Sequence, residues 1–139
     1  MAAEPSHPGS KRVLVVEDNE HLAFMLRFVL ERSGYDVIWA PNGRDAEKAI
    51  ANIEPVSAVL LDLMLPYVSG YDLIQVIRDD PLWRYVPVIV LSGKVMEEDI
   101  VKALDLGAND YVTKPFRPEE LLARIRRFVI DSERPQRPR

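Results

Sequence analysis

Polar side chains of a particular kind stand where the short apolar runs of this 139-residue chain end. Glu17 and Asp18 follow Arg12–Val16, Asp62 follows Ala58–Leu61, and Ser92 follows Val88–Leu91. Thr113, Lys114 and Pro115 follow Asp110–Val112. Three carboxylates gathered in one place repel, so they need a cation or protons to coexist. A donor set made only of oxygens favours Mg²⁺, which takes one or two carboxylates and phosphate oxygens and keeps some waters. A lysine beside such a cluster supplies positive charge for a phosphoryl group. A hydroxyl on the neighbouring strand can bond a phosphate oxygen, and an aspartate can act as a nucleophile that forms an acyl phosphate. The residue types together describe a metal-dependent phosphoryl acceptor.

Each residue alone has a plainer account. Asp18 could cap the first long helix, Asp62 could be a loop acid and Ser92 a turn residue, and Lys114 a solvated lysine. What these accounts leave unexplained is the coincidence at the ends of so many runs. It has a cause if the runs are parallel strands of one sheet. A second apolar run, Asp36–Ala40, completes the set. The runs are continuous rather than alternating, as expected of strands buried on both faces. Between them lie helical patterns. Leu22, Leu26, Val29 and Leu30 form a stripe in Glu20–Ser33, with Gly34 as a stop. Asn42 is placed to cap a helix carrying Ala46, Ala49 and Ile50. Leu73, Ile74 and Ile77 line Gly70–Asp79, which Pro81 ends, and Ile100, Val101 and Leu104 line Glu97–Leu106, which Gly107 ends. Pro118 opens a last helix with Leu121, Leu122, Ile125 and Val129 on its apolar face. Five β-then-α units predict an open parallel sheet with helices on both faces, whose ligands bind at the carboxyl ends of the strands.

Composition limits the alternatives. With 18 Lys+Arg against 22 Asp+Glu the formal net charge is -4, which argues against a domain that holds DNA by bulk charge. The 47% hydrophobic content suffices for one packed core, and the absence of cysteine excludes disulfides and thiolate chemistry. No segment approaches the about 20 apolar residues of a membrane span, so a soluble, cytoplasmic protein is expected. Residues 1–10 read as a disordered arm, 11–130 as the domain, and 131–139 as a tail or a severed linker. His7 lies in the arm and His21 opens the first helix as a rim residue, so neither is read as a metal ligand. Trp39 and Trp83 are read as packing residues.

The segments VLVVEDNE, VLLDLMLPYVSGYDL, VIVLSG and GANDYVTKPFRPEELLARI, in this order over Lys11–Val129, resemble the receiver domain of two-component response regulators. Each piece is weakly specific; their order and spacing are highly so. The resemblance implies an α/β, flavodoxin-like (βα)5 fold with strand order 2-1-3-4-5. It implies Asp62 as the phosphorylated residue, Glu17 and Asp18 as the acidic pair holding Mg²⁺ with Asp62, and the backbone carbonyl of Met64 as a further metal ligand. Ser92 would be the switch hydroxyl, Lys114 the phosphate-binding lysine, followed by a cis bond to Pro115, and Tyr111 the switch aromatic that swings inward. The donor would be a phosphohistidine on a sensor histidine kinase or a phosphotransfer protein. The chain would be no enzyme acting on a separate substrate, but a phosphoacceptor that assists its own phosphorylation and dephosphorylation. Phosphorylation would then bias the surface of the fourth helix, fifth strand and fifth helix toward dimerisation or effector binding.

The last third is most like the receivers of winged-helix transcription factors, in which charges on that surface pair across a two-fold dimer. The matching residues are Lys102, Asp105, Asp110, Glu120, Arg124 and Arg126. The expected intermolecular pairs are Lys102 with Glu120, Asp105 with Arg126, and Asp110 with Arg124; the plain alternative is a solvated set of helix charges. Asn109 stands where that subfamily has an acid, and Gly93 where the family often has alanine. Met64 and Lys94, two residues past Asp62 and Ser92, occupy positions that tune acyl-phosphate hydrolysis in the family. Three other readings stand beside this one. A receiver cut from a DNA-binding regulator would bind DNA only through an output domain. An aspartyl phosphatase needs a proton-transferring residue where Met64 stands. A pseudo-receiver would not need the intact acids and lysine.

Overall fold

The computed structural model describes residues 11–133, and the side chains of 11–129; the predicted arm, 1–10, and residues 134–139 lie outside it. The strands are β1 (Lys11–Val16), β2 (Tyr35–Ala40), β3 (Ala58–Leu61), β4 (Val88–Ser92) and β5 (Asp110–Thr113). They alternate with helices α1 (Glu20–Arg32), α2 (Gly43–Asn52), α3 (Gly70–Asp79), α4 (Glu97–Leu106) and α5 (Pro118–Glu133). All neighbouring strands are parallel, in the order β2-β1-β3-β4-β5. The predicted class and strand order are those found. Helix α5 runs on to Glu133, past the expected domain end at 130.

The apolar runs are continuous because each strand feeds two cores. Leu14 and Val16 of β1, Val59 and Leu61 of β3, and Val88 and Val90 of β4 point to one face. There they meet Ala46 and Ile50 of α2, Leu73, Ile74 and Ile77 of α3, and Ala103 of α4. The intervening Val13, Val15, Ala58, Leu60, Ile89 and Leu91 pack on the other face against Leu26 and Leu30 of α1 and Leu121, Ile125 and Val129 of α5. A polar residue inside a central strand would face one core or the other, so polar chemistry is pushed to the strand ends.

Helix ends are set by their caps. Asn42 and Ser69 accept from Asp45 N–H and Asp72 N–H at the starts of α2 and α3. Asn19, not Asp18, caps α1 by accepting from Leu22 N–H at 3.0 Å. The cap lies one residue later than the plain reading of Asp18 required, which leaves that carboxylate free. Gly34 follows α1 at φ 92°, and Gly107 ends α4 at φ 118°, both left-handed conformations that favour glycine. The Lys114–Pro115 peptide bond is cis. Among the described residues, no helix is long and apolar enough to cross a membrane.

Candidate functional site

The ladder of the sheet carries past the strand ends and fixes the backbone beneath each polar residue. Glu17 N–H donates to Ala40 O at 3.1 Å, Asp62 N–H to Val16 O at 3.1 Å, and Lys114 N–H to Ser92 O at 2.9 Å. Register therefore brings residues far apart in sequence side by side on one edge. The loop after β3 is held from below by Gly70, whose N–H donates to Leu63 O at 3.0 Å. A Cβ on Gly70 would lie 2.4 Å from Asp62 O, so only glycine lets α3 start this close to the acid.

Glu17, Asp18 and Asp62 each offer a carboxylate oxygen within 4.8 Å of the others. Glu17 is 2% exposed and Asp62 7%, while Asp18 is open to solvent. The Lys114 ammonium bridges the two buried acids, 2.9 Å from Asp62 Oδ2 and 3.1 Å from Glu17 Oε2. The other Asp62 oxygen, Oδ1, accepts from Met64 N–H at 3.1 Å, so both oxygens have partners and the carboxylate is held in one orientation. Glu17 is braced further: its Oε1 accepts from Asn19 N–H at 3.3 Å, and its carbonyl accepts from the Trp39 indole at 2.8 Å.

Burial raises the Glu17 pKa above its ordinary value, and the bond and charge of Lys114 only partly oppose it. For Lys114 burial works against the charge, yet its bonds to Asp62 and Glu17 together outweigh that and raise its pKa. The two buried carboxylates thus share a single ammonium, with the Asp18 carboxylate beside them.

Ser92 is fully buried at the end of β4, its hydroxyl accepting from Lys94 N–H at 3.3 Å. Tyr111 is half-buried against the core shared by α3 and α4, and its hydroxyl donates to Lys94 O at 2.7 Å. That bond anchors the ring on the loop after Ser92. Burial raises its pKa. Met64 follows Asp62 with its side chain exposed.

The predicted surface charges fall into two groups. Lys102 and Asp105 are exposed on α4. On the neighbouring elements Arg124 Nη1 bonds Asp110 Oδ2 at 2.8 Å and its Nη2 bonds Glu120 Oε1 at 3.0 Å. These bonds, Asp110 first, raise the Arg124 pKa. The Asp110–Arg124 pair, expected between two copies, is thus made within one chain, because β5 sets Asp110 beside the first turns of α5. Arg126 stands apart. Two residues from Arg124 it points about 200° around the helix, and it borders a groove with Val29, Arg32 and Leu122 on the α1 side.

Sequence reasoning missed several contributors. Asn19 and Trp39 support Glu17, and only the Asp-Asn-Glu order before the α1 stripe hints at the first. Trp39, expected to pack, is about a third exposed, and its indole also bonds the Glu17 carbonyl. His21 is exposed at the start of α1, outside the acid cluster.

Comparison with known proteins agrees with this geometry. Residues 13–126 match the family described as the response regulator receiver domain. The chain is 42% identical over 124 residues to the alkaline phosphatase synthesis transcriptional regulatory protein PhoP of Bacillus subtilis, covering 89% of this chain and 50% of that protein. It is 44% identical over 116 residues to the DNA-binding response regulator MtrA of Mycolicibacterium smegmatis, covering 84% and 49%. The chain thus spans about half the length of the curated relatives it matches. Among solved structures, a CheY-like receiver domain protein from Methanospirillum hungatei superposes with a TM-score of 0.84 at 29% identity, covering 90% of this chain and 98% of that one. The receiver domain of the sensor histidine kinase PA1611 from Pseudomonas aeruginosa, with magnesium coordinated in its active-site cleft, superposes with a TM-score of 0.80 at 30% identity, covering 87% and 98%. Fold, matched segment and relatives lead to one conclusion: the chain belongs to the response regulator receiver domain family of two-component signalling.

Proposed function

We propose that Asp62 accepts a phosphoryl group from a phosphohistidine on a sensor histidine kinase or phosphotransfer protein. The observation that carries this reading is the Lys114 ammonium bridging Asp62 and Glu17 beside Asp18 at the carboxyl edge of the sheet. The P–N bond of the donor breaks as a P–O bond forms to an Asp62 oxygen. The bond's electron pair goes to the imidazole, which takes a proton from solvent. Lys114 sits where it can neutralise phosphoryl oxygens, and the bond from Met64 N–H holds the carboxylate for in-line attack.

Three carboxylate oxygens this close suit a small hard cation, and Mg²⁺ fits the set of Glu17, Asp18, Asp62 and the Met64 carbonyl. When bound, Mg²⁺ supplies charge neutralisation for the entering group. The chain then acts as a phosphoacceptor that assists its own phosphorylation and dephosphorylation in the cytoplasm. The phosphoryl group draws Ser92, and the loop that carries Lys94 and anchors Tyr111 moves with it, which biases the α4–β5–α5 surface toward dimerisation or effector binding. The relatives favour one further reading: PhoP is a transcriptional regulatory protein and MtrA a DNA-binding response regulator, and the matched segment is about half of each, so this receiver would serve a DNA-binding output.

The test is intact-protein and peptide mass spectrometry after incubation with acetyl phosphate, with Mg²⁺ or EDTA. One phosphoryl group at Asp62, lost with EDTA and in Asp62→Asn, is expected. Labelling of Asp62→Asn at the same peptide would overturn the assignment.

A further inference from the structure

Helix α4 is the least embedded of the helices with fully described side chains. Only Ala103 of it is buried, and Val101 and Leu104 are exposed. Polar bonds at its two ends hold it instead, and they differ in kind. At the C-terminal end Arg78 of α3 donates from Nε and Nη2 to Gly107 O at 3.0 and 2.7 Å. Its Nη1 reaches Arg84 O and Val86 O, and its Nη2 also reaches Asn109 Oδ1, which accepts from Val88 N–H as well. A Cβ on Gly107 would lie 2.9 Å from Arg78 Nε, so the clamp is closed tightly over the end of the helix.

The N-terminal end has no such clamp. Its cap residue, Met96, offers no side-chain bond. The first turn is tied down by Tyr71 of α3, whose hydroxyl donates to Asp99 Oδ1 at 3.1 Å. Lys94 Nζ lies 3.8 Å from the same oxygen, and 5.9 Å from the centre of the Tyr71 ring. Lys102 Nζ lies 4.2 Å over that ring. Tyr71 also follows Gly70, which rides on the Asp62–Leu63 backbone. The main chain of Lys94, in turn, donates to Ser92 and accepts from Tyr111. Tyr71 is therefore the side chain that touches the loop after Ser92, the first turn of α4 and the α4 surface together, while its own backbone rests on the acceptor loop.

We infer that Tyr71 is a positioning residue of the switch: its bond to Asp99 and its ring beneath Lys94 and Lys102 hold the first turn of α4 in register with the acceptor loop. The inference rests on the reading of Asp62 as phosphoacceptor. When Ser92 and Lys94 are drawn toward a phosphoryl group, Lys94 leaves Asp99, and the first turn follows the acceptor loop through Tyr71 while Arg78 keeps the other end fixed. The helix turns about Gly107. Without the Tyr71 hydroxyl the first turn is uncoupled from that loop, so phosphorylation changes it less.

The experiment compares wild type, Tyr71→Phe, Asp99→Asn, Asp99→Ala and the double variant Y71F/D99A, in the full 139-residue chain. Each is treated with acetyl phosphate and Mg²⁺, its labelling is measured by mass, and its amide chemical shifts are recorded with and without phosphate. Tyr71→Phe is expected to label at Asp62 like wild type. Its phosphorylation-induced shift at Asp99–Lys102 should fall at least threefold, while Gly107–Asn109 behave as in wild type. Asp99→Asn keeps an acceptor for the phenol and should retain most of the response. Asp99→Ala should match Tyr71→Phe, and the double variant should be no worse than either single one, as expected when two residues share one interaction. A labelled Tyr71→Phe with the wild-type response, or with only a lowered melting temperature, overturns the role of Tyr71. A wild type that is not labelled at Asp62 overturns the phosphoacceptor reading, and this inference with it.

Discussion

Lys114→Ala isolates the electrostatics of the acid cluster. The substitution leaves Glu17 and Asp62, 3% and 8% exposed in their side chains, without the ammonium that now bonds them, itself 25% exposed. Removing one partner of a fully buried ion pair costs about 3–5 kcal/mol. Screening at the partly open lysine lowers this to about 2 kcal/mol at neutral pH without metal, or about 6–10 °C in melting temperature for a domain of this size. The loss has a pH signature. Burial already raises the folded pKa of Glu17 above its unfolded value near 4.5, and deleting the lysine removes what opposed it. A carboxyl with a raised folded pKa binds its proton more tightly when folded. Its charge costs nothing below the unfolded pKa, and the cost grows until pH passes the folded pKa. The deficit should therefore be smallest near pH 4 and grow as the pH rises to neutrality and above. Mg²⁺ should restore most of it, since the divalent ion replaces the missing positive charge. Urea unfolding of both proteins over this range, with EDTA and with Mg²⁺, measures it. A deficit of equal size at both ends of the range and indifferent to Mg²⁺ would mean lost packing of the lysine stem, and would refute the reasoning.

Other perturbations follow from particular contacts. Gly70→Ala drives a Cβ against the Asp62 carbonyl; it should cost about 2–3 kcal/mol by overpacking and slow labelling by acetyl phosphate, as read by urea unfolding and mass spectrometry. Arg78→Ala strips charged donors from Gly107, Arg84, Val86 and Asn109; it should cost about 2–4 kcal/mol and speed amide exchange around Gly107 and Val88. The Tyr71 phenol is pushed up to about 12, first by burial and then by Asp99. Folded protein keeps this proton while unfolded chain loses it, so stability should fall between about pH 10 and pH 12. Tyr71→Phe should flatten that slope in unfolding experiments; an unchanged slope would assign it to other groups.

The fold was legible because its signal is redundant. In β1, β3 and β4 every residue from Val13 to Val16, Ala58 to Leu61 and Val88 to Leu91 meets one core or the other, and such runs have few alternatives to a two-sided parallel sheet. The site was legible for the same reason, since strands buried on both faces leave chemistry only their ends. What did not show was local geometry that no periodicity encodes. The shift of the α1 cap from Asp18 to Asn19 turns on one residue of backbone conformation. The bond from Trp39 to the Glu17 carbonyl depends on the β1–β2 register. The Arg78 clamp joins segments up to 31 residues apart through side chains that in sequence look like ordinary loop and helix charges. The surface charges were found as residues but not as partners, because only coordinates show Arg124 held within its own chain and Arg126 facing α1.

The charge of the pocket links its unstable design to its role. Three carboxylates against one ammonium leave two negative charges uncompensated, which is the amount a divalent cation neutralises. Phosphorylation would replace the −1 of the Asp62 carboxylate by an acyl phosphate of about −1.5 to −2, a net gain of up to about one negative charge, so the filled pocket would again be short of positive charge. The second imbalance differs from the first in where it can be relieved. A bound cation would already use the acidic edge, and the other side of the pocket is β4, which carries the Ser92 hydroxyl and the loop with Lys94. Among the described residues, the Lys94 ammonium is held by the long contact to Asp99 and the face of Tyr71, partly exposed interactions of about 0–1 kcal/mol. A demand for positive charge on this side would therefore act on a weakly held cation, and that cation is in contact with the first turn of α4.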